Sequence, residues 1–286
     1  MGSTHTQTGG HGGPERFGPY DHTDLDGSGV IPLPIMGGAK EAVNYPTTRE
    51  AWKMFPVETV RYVDGSIRGQ RLLVGGNSVM EEWERPVEER TIRQIFTYIS
   101  VYRPTILIGG EGLGYATAAA IAEARDRDGA VIHIVELHPE IIREGQERAN
   151  ALLKKMSTEQ RATIKLYWHE ADMKDILQDR KIFPDDSIDG ARIDLYPLEP
   201  EEKDIDSFVH AEALLRIMKP TGVYAPFVGE EDLPQAKQLA FIEGRFLNKD
   251  YTYVYVTPPK DCTYFQGRRM IVMVCRTPIK DLPRAN

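Results

Sequence analysis

The chain has 286 residues, enough for one large α/β domain or for one domain with a small cap. Its net charge of −8 argues against the clustered basic surface that nucleic-acid binding requires. Two cysteines without metal-like spacing argue against a zinc site, and no apolar run reaches membrane-spanning length. With no secretory signal pattern at the N-terminus, we expect a cytoplasmic protein without a metal, a membrane or a nucleic-acid partner.

Composition divides the chain into three parts. Residues 1–45 are rich in Gly, Thr, His and Pro and predict a flexible tail. Residues 46–95 predict a lid or cap followed by a leading helix, and residues 96–286 predict the catalytic core. The cap contains a short amphipathic helix and a hairpin that turns at Asp64-Gly65; its predicted elements are Thr47–Phe55, Val57–Val63 and Gln70–Val74.

From residue 79 onwards, strands and helices alternate along the chain. The predicted helices are Val79–Ser100, Tyr115–Arg127, Pro139–Leu153, Met173–Gln178, Ile205–Met218 and Pro234–Ile242. The predicted strands are Thr105–Ile108, Val131–Val135, Ala162–Tyr167, Ile188–Asp194, Gly222–Phe227, Tyr251–Val256 and Met270–Arg276. Strict alternation predicts a doubly wound, mostly parallel, seven-stranded Rossmann-like sheet, and the last two strands predict an antiparallel hairpin on its edge.

A glycine-rich turn after the first of these strands points to a nucleotide ligand. The run Ile106–Gly114 contains Gly110, Gly112 and Gly114, and a second apolar run ends at Glu136. Such glycines let the backbone approach a ligand, and a carboxylate about twenty residues later accepts ribose hydroxyls. An ordinary βαβ connection would explain the glycine turn alone equally well, whereas the position of Glu136 favours the nucleotide.

The tips of the following strands distinguish between the ligands that bind such a unit. Asp172 follows the third strand, and the fourth strand runs from Asp189 to Asp194. Carboxylates around one ligand favour S-adenosylmethionine, which carries a sulfonium and an ammonium, over a dinucleotide with its pyrophosphate. Asp172 and Asp189 could each equally well cap a helix or a turn.

Three segments carry a resemblance to a known family. They are Val79–Pro86, Phe183–Leu198 and Pro258–Tyr264, and their most specific parts are Val79-Met-x-x-Trp-Glu84 and Asp194-x-Tyr-Pro-Leu198. From Val79 to Thr277 the chain resembles guanidinoacetate N-methyltransferase and related arginine N-methyltransferases, which are class I S-adenosylmethionine-dependent enzymes. The glycine turn is also similar to that of spermidine synthases, but their acidic acceptor-site motif is not visible in this sequence.

The resemblance implies two catalytic carboxylates and a set of ligand contacts. Glu84 and Asp194 would grip the acceptor, with Asp194 as the base that takes its proton. The implied cofactor contacts are Met80, Gly110, Glu111, Gly112, Leu113, Gly114, Tyr115, Glu136, Leu137, His138, Asp172, Met173 and Asp194. The implied substrate contacts are Glu84, Asp194, Tyr196, Gly229 and Glu230. Trp52 and Phe55 either close over this site or pack in the core, and Trp83 and Tyr196 could be core residues too.

The segment after the fifth predicted strand departs from the family pattern. In the guanidinoacetate enzyme this segment receives the substrate carboxylate, but here it contains Glu230, Glu231 and Asp232, which would repel one. We therefore predict N-methylation of a cationic or neutral small molecule that bears a guanidino or amino group, in specialised metabolism. The alternatives are C-methylation of an electron-rich ring such as indole and a non-catalytic binding module. The oligomeric state, monomer or homodimer, stays open.

Overall fold

The computed structural model describes residues 48–195, 211–227, 242, 244–262, 264–265 and 267–279. All of them belong to one compact unit of the chain. This unit contains a small antiparallel sheet followed by a larger sheet with helices on both faces.

The small sheet is a three-stranded meander preceded by a short helix. Thr48 caps this helix because its hydroxyl accepts a hydrogen bond from the Ala51 amide at 3.1 Å. The predicted hairpin is confirmed, with Gly65 at the turn and a φ of +60°. The elements are α1 (Arg49–Met54), β1 (Val57–Asp64), β2 (Ile67–Val74) and β3 (Asn77–Glu81).

The first long helix starts later than predicted. The prediction of a helix over Val79–Ser100 was wrong for residues 79–84, because residues 79–81 belong to β3 and Glu82–Glu84 form a 3-10 turn. The helix itself is α2 (Arg85–Tyr98), with Pro86 in its first turn, where its missing N–H costs nothing. Residues 79–81 become a strand because β2 supplies backbone partners, with Leu72 opposite Met80.

The larger sheet confirms the predicted fold class. Its strands are β4 (Thr105–Gly109), β5 (Ala130–Glu136), β6 (Ile164–Glu170), β7 (Ile188–Ile193), β8 (Met218–Pro226), β9 (Phe246–Tyr255) and β10 (Arg269–Pro278). Their order is β6-β5-β4-β7-β8-β10-β9, and the first five are mutually parallel. β10 runs antiparallel to both β8 and β9, which gives the predicted edge hairpin.

The remaining helices are α3 (Tyr115–Arg125), α4 (Pro139–Leu153), α5 (Thr158–Thr163), α6 (Met173–Ile176) and α7 (Ala211–Ile217). Helix α5 was not predicted from the sequence, although Ser157 and Gln160 form its capping box. The next strand therefore begins at Ile164, two residues later than predicted. The helix predicted over Pro234–Ile242 lies outside the described residues except for Ile242. No helix in the described ranges is long and apolar enough to cross a membrane.

Both faces of the sheet are buried, which is why its central strands are mostly apolar. In β4, Ile106 and Ile108 pack in one core, whereas Leu107 packs in the other. The strand order reverses between β4 and β7, and at such a reversal a crevice opens at the carboxyl ends of the strands. The small sheet contributes to a third apolar cluster beside this crevice, which includes Trp52, Met80 and Leu113.

Packing of α2 on the sheet depends on a strand residue without a side chain. A Cβ atom at Gly190 would lie 2.5 Å from Ile95 Cγ2 and 2.9 Å from Ile99 Cδ1. We predict that Gly190→Ala lowers the free energy of unfolding by about 1–3 kcal/mol through overpacking, as measured by urea denaturation. Gly244→Ala is the matched control because a Cβ there meets no atom within 4 Å, and we expect it to change stability by less than about 0.5 kcal/mol. Equal effects of the two substitutions would contradict this account of the packing.

Candidate cofactor and acceptor site

The glycine turn after β4 adopts a backbone that other residues rarely take. Gly110, Gly112 and Gly114 have φ values of +84°, +49° and +79°. A Cβ atom on Gly110 would lie 2.0 Å from the Asp194 carbonyl oxygen, and one on Gly112 would lie 2.5 Å from Met80 Sδ. The turn thus lies directly against the end of β7 and against β3, and these positions have no room for a side chain.

Glu111 supplies its backbone to the site and its side chain to the support beneath the turn. Its carboxyl is buried and accepts a hydrogen bond from the Thr117 hydroxyl at 2.5 Å. It also fills the space that Cβ atoms on Gly114 and Gly145 would occupy. Burial raises the pKa of Glu111 to about 8, although the Thr117 hydrogen bond opposes this shift. The side chain is therefore protonated at neutral pH.

Glu136 lies at the tip of β5 with its carboxylate held in place by backbone amides. Its Oε1 accepts hydrogen bonds from Leu137 N and His138 N, both at 2.8 Å. Its Oε2 accepts one from Glu111 N at 3.1 Å. A carboxylate has about four acceptor positions, so one remains for a further donor. Burial raises the pKa of Glu136, and the three amides oppose that shift.

The N-terminal helix contacts the same edge of the sheet. His138 caps α4 through its Nδ1, which accepts from Glu140 N at 3.2 Å, and its Nε2 lies 2.9 Å from the Phe55 carbonyl oxygen. The Trp52 ring packs edge-on against His138 with ring centroids 6.4 Å apart. Trp52 is buried in the third apolar cluster, so it packs in a core that itself lies beside the crevice.

Asp172 and Asp189 have different surroundings. Asp172 follows β6 and caps α6 by accepting from Lys174 N at 2.7 Å, and its other oxygen forms an ion pair with Arg49. Asp189 lies at the amino end of β7, on the opposite edge of the sheet. There it accepts from Thr105 N at 2.8 Å and from Lys219 Nζ at 2.8 Å. Asp172 is thus next to the crevice, whereas Asp189 has a structural role.

Two methionines border the turn. Met80 reaches it because β3 places the side chain there, and its sulfur accepts a hydrogen bond from Leu113 N at 3.0 Å. Met173, the first residue of α6, is buried, and a Cβ atom on Gly109 would lie 2.2 Å from its Cε. Both predicted contacts therefore adjoin the glycine turn or the strand that leads into it.

Glu84 is a buried carboxyl in the 3-10 turn before α2. Its Oε1 accepts from Glu81 N at 2.7 Å and from the Tyr264 hydroxyl. Burial, with a smaller contribution from the negative charge of Asp194, raises the pKa of Glu84 to about 8, so the two carboxyls lie within electrostatic range. The partnership with Tyr264 was missed by the sequence analysis, although the segment Pro258–Tyr264 contributed to the family resemblance.

Asp194 follows β7 and is paired with an arginine from the same strand. Its Oδ2 accepts from an Arg192 terminal nitrogen at 3.0 Å, and its backbone amide donates to the Gly109 carbonyl at 2.9 Å. Arg192 also forms a buried ion pair with Glu88 of α2. Burial raises the pKa of Asp194 to about 6, and the Arg192 charge opposes that shift. The sequence did offer a signal for Arg192, since a charged residue in an apolar strand requires a buried partner.

The structure therefore brings together the glycine turn, Glu136, Asp172, Glu84 and Asp194 at one edge of the sheet. Tyr115 begins α3 directly after the turn and packs beside the third apolar cluster. The predicted substrate contacts Tyr196, Gly229 and Glu230 lie outside the described residues. Beside Glu84, Trp83 stacks on Phe265 with ring centroids 5.0 Å apart, and its buried ring N–H has no hydrogen-bond partner among the described residues.

Comparison with known proteins supports the fold alone. No protein-family model matches the chain, and no curated protein sequence does either. A spermidine synthase from Thermotoga maritima aligns with a TM-score of 0.50 and 12% identity over 77% of this chain and 72% of that one. A spermidine synthase in complex with the transition state analogue AdoDATO aligns with a TM-score of 0.51 and 11% identity, over 77% and 73%. A probable spermidine synthase from Corynebacterium glutamicum reaches 0.50 and 17%, over 78% of both chains. This chain thus has the Rossmann-like fold of class I methyltransferases that these proteins share.

The raised pKa of Glu111 predicts how stability depends on pH. Its ordinary pKa is 4.5 and its pKa in the folded state is about 8. The folded chain therefore binds this proton more tightly than the unfolded chain. The free energy of unfolding falls as pH rises from 4.5 to about 8, because the unfolded chain has already released the proton. We predict that Glu111→Gln reduces the loss of unfolding free energy between pH 6 and pH 9 by about 2–3 kcal/mol, as measured by urea denaturation.

The control for this measurement is Glu58→Gln, which removes a carboxyl from an exposed position of β1. It should show the pH dependence of the wild-type protein. If Glu111→Gln loses as much stability over this range as the wild type does, the Glu111 carboxyl is not the group that titrates.

Proposed function

We propose that this protein is an S-adenosylmethionine-dependent methyltransferase that acts on a nitrogen of a small molecule with an amino or guanidino group. One observation carries the proposal. Gly110 of the glycine turn abuts the backbone of Asp194, whose carboxyl lies within electrostatic range of the buried Glu84. A glycine turn and two buried carboxyls therefore lie together where the strand order reverses, which supports a site for a nucleotide beside a cation.

The residues at this edge fit an adenosyl ligand with a positive charge. Glu136 has one acceptor position left for a ribose hydroxyl. The glycines with positive φ leave space for a ligand close to the backbone. The Asp172 carboxylate, which is paired with Arg49, could also accept a hydrogen bond from an adenine amino group. S-adenosylmethionine, when bound, supplies an electrophilic methyl carbon attached to a sulfonium.

Two further likenesses support the proposal without testing it. The segments Val79–Glu84 and Asp194–Leu198 resemble the guanidinoacetate and arginine N-methyltransferases. Among the structures with this fold, one spermidine synthase holds the transition state analogue AdoDATO, which favours an adenosyl-type ligand for this chain as well. The first likeness favours a reaction in which a nitrogen of the acceptor is methylated.

The two carboxyls suit different roles because their environments differ. Asp194, with a pKa of about 6, is largely ionised at neutral pH and can take the proton that the acceptor nitrogen releases as it gains the methyl group. Glu84, with a pKa of about 8, is protonated and held by Tyr264, so it can orient the acceptor by hydrogen bonding. The small sheet and α1 lie beside the crevice and would limit the access of water to it.

A second candidate function is C-methylation of an electron-rich ring. The observation that favours it is the aromatic stack beside Glu84, in which Trp83 and Phe265 are buried and the partly exposed Tyr264 could contact a planar acceptor. In that reaction Asp194 would take a ring N–H proton while a ring carbon is methylated. Methyl-transfer assays on indoles, amines and guanidines distinguish the two candidates.

Binding of S-adenosylhomocysteine tests the cofactor assignment directly. We predict that it raises the melting temperature of the wild-type protein but not that of Gly110→Ala, in which the new Cβ would collide with the Asp194 carbonyl oxygen. Gly65→Ala is the matched control, because Gly65 has a similar positive φ but no atom within 4 Å of the Cβ position. It should lose some stability and retain the shift. Absence of a shift in the wild-type protein would refute the cofactor assignment.

Substitution of Asp194 tests the base. We predict that Asp194→Asn lowers the rate of methyl transfer at least about 100-fold, the lower end of the usual contribution of a general base. The dissociation constant of S-adenosylhomocysteine, measured by calorimetry, should change only a few-fold. Asp128→Asn, at an exposed position, serves as the control and should retain full activity. A fully active Asp194→Asn enzyme would refute the assignment.

A further inference from the structure

Arg192 places a guanidinium of the protein itself inside the acceptor site. The side chain is 1% exposed and its terminal nitrogens contact three partners. It forms a two-pronged ion pair with Glu88, donates to the Ile193 carbonyl at 3.0 Å and donates to Asp194 Oδ2 at 3.0 Å. The guanidinium also lies against the Phe227 ring, 5.7 Å from its centroid. Such a network holds the arginine in one position.

We propose that Arg192 determines acceptor specificity: it occupies one oxygen of Asp194, so that the site takes an alkylammonium or amine and rejects a planar guanidinium. This inference rests on the proposed function, and it chooses between the two acceptor classes left open there. The free carboxylate oxygens and the net charge of the buried groups both support it.

The first observation is which oxygens of Asp194 and Glu84 already accept a hydrogen bond. A guanidinium binds a carboxylate best through two parallel N–H bonds, which need both carboxylate oxygens. Arg192 already holds Asp194 Oδ2, and Tyr264 with Glu81 N already holds Glu84 Oε1. Among the described residues, no hydrogen bond reaches Asp194 Oδ1 or Glu84 Oε2. Asp194 thus has one oxygen that it does not share, which suits an amine that donates one N–H to it, whereas a bidentate guanidinium would have to share Oδ2 with Arg192.

The second observation is the net charge of the buried carboxyls and Arg192. Glu88 and Asp194 each contribute one negative charge, Arg192 contributes one positive charge, and Glu84 is protonated at neutral pH. The sum is one negative charge, which a single cationic head would neutralise. Because uncompensated charge is costly in a buried site, the acceptor should bring one compact positive charge to Asp194 Oδ1. An ammonium has that form, whereas a guanidinium spreads its charge over three nitrogens.

Two probes that differ only in their cationic heads test the proposal. Butylammonium and butylguanidinium are titrated into the protein saturated with S-adenosylhomocysteine, and their dissociation constants are measured by NMR. We expect the wild-type protein to bind butylammonium at least about tenfold more tightly, the equivalent of one good hydrogen bond to a charged group. Equal binding, or a preference for butylguanidinium, overturns the proposal.

Variants show whether Arg192 causes the preference. In Glu88→Met/Arg192→Met the buried ion pair is removed as a unit, which frees both oxygens of Asp194 and leaves the net charge of the group at −1. We expect the ratio of the two dissociation constants to move at least tenfold towards butylguanidinium. Arg192→Lys keeps a positive charge for Glu88 and should move the ratio in the same direction, so it serves if the double variant does not fold.

Arg180→Met is the control, because this arginine is two-thirds exposed and pairs with Asp185. It should retain the wild-type ratio. An unchanged ratio in the folded Arg192 variants overturns the proposal even if the wild type prefers the amine. Failure of the proposed function is a separate outcome, since it would appear as the absence of S-adenosylhomocysteine binding. In that case the probe titrations can be repeated without the nucleoside.

Discussion

Pairing of a buried guanidinium with carboxyls is the interaction on which the proposed acceptor side of this site depends. Arg192 lies in β7, where every side chain is buried, and an unpaired charge there would cost several kcal/mol. Glu88, near the start of α2, neutralises the charge of Arg192. This ion pair holds the helix against the end of β7, next to Asp194. Glu84 precedes the same helix by one residue, so the ion pair also fixes where the second carboxyl lies relative to Asp194.

The proposed cofactor side of the site depends on a different constraint, the close approach of backbones. The Gly110 amide donates to the Val135 carbonyl at 2.9 Å while its Cα lies against the Asp194 carbonyl, so the ends of β4, β5 and β7 meet at one turn. Met80 covers this turn from the small sheet, and His138 contacts the α1 segment at the Phe55 carbonyl. Access to the crevice and the shape of its wall are therefore set partly by residues outside the larger sheet.

Most of the fold could be predicted because periodicity and turn chemistry agreed over long segments. β4 and β5 are mostly apolar, α4 has a clear polar and apolar face, and Asp64-Gly65 marks a hairpin. The predicted start of α2 was wrong because the order of apolar and polar residues over 79–84 does not distinguish a helix from a strand. Pairing with β2 makes residues 79–81 a strand. α5 was missed because a helix of six residues carries little periodicity, although its capping box was present.

Features of the candidate site could be predicted from local sequence where all of their residues lie in one short segment. The glycine turn and the carboxylate at the tip of β5 are such segments, since a turn with several positive φ angles and no room for side chains favours glycine. Family resemblance singled out Glu84 and Asp194, but it could not supply their partners. Arg192 and Glu88 are 104 residues apart, and Glu84 and Tyr264 are 180 apart. Which oxygens of the two carboxyls remain free was decided by tertiary structure alone, because hydrogen bonding and burial depend on groups that only folding brings within 3 Å.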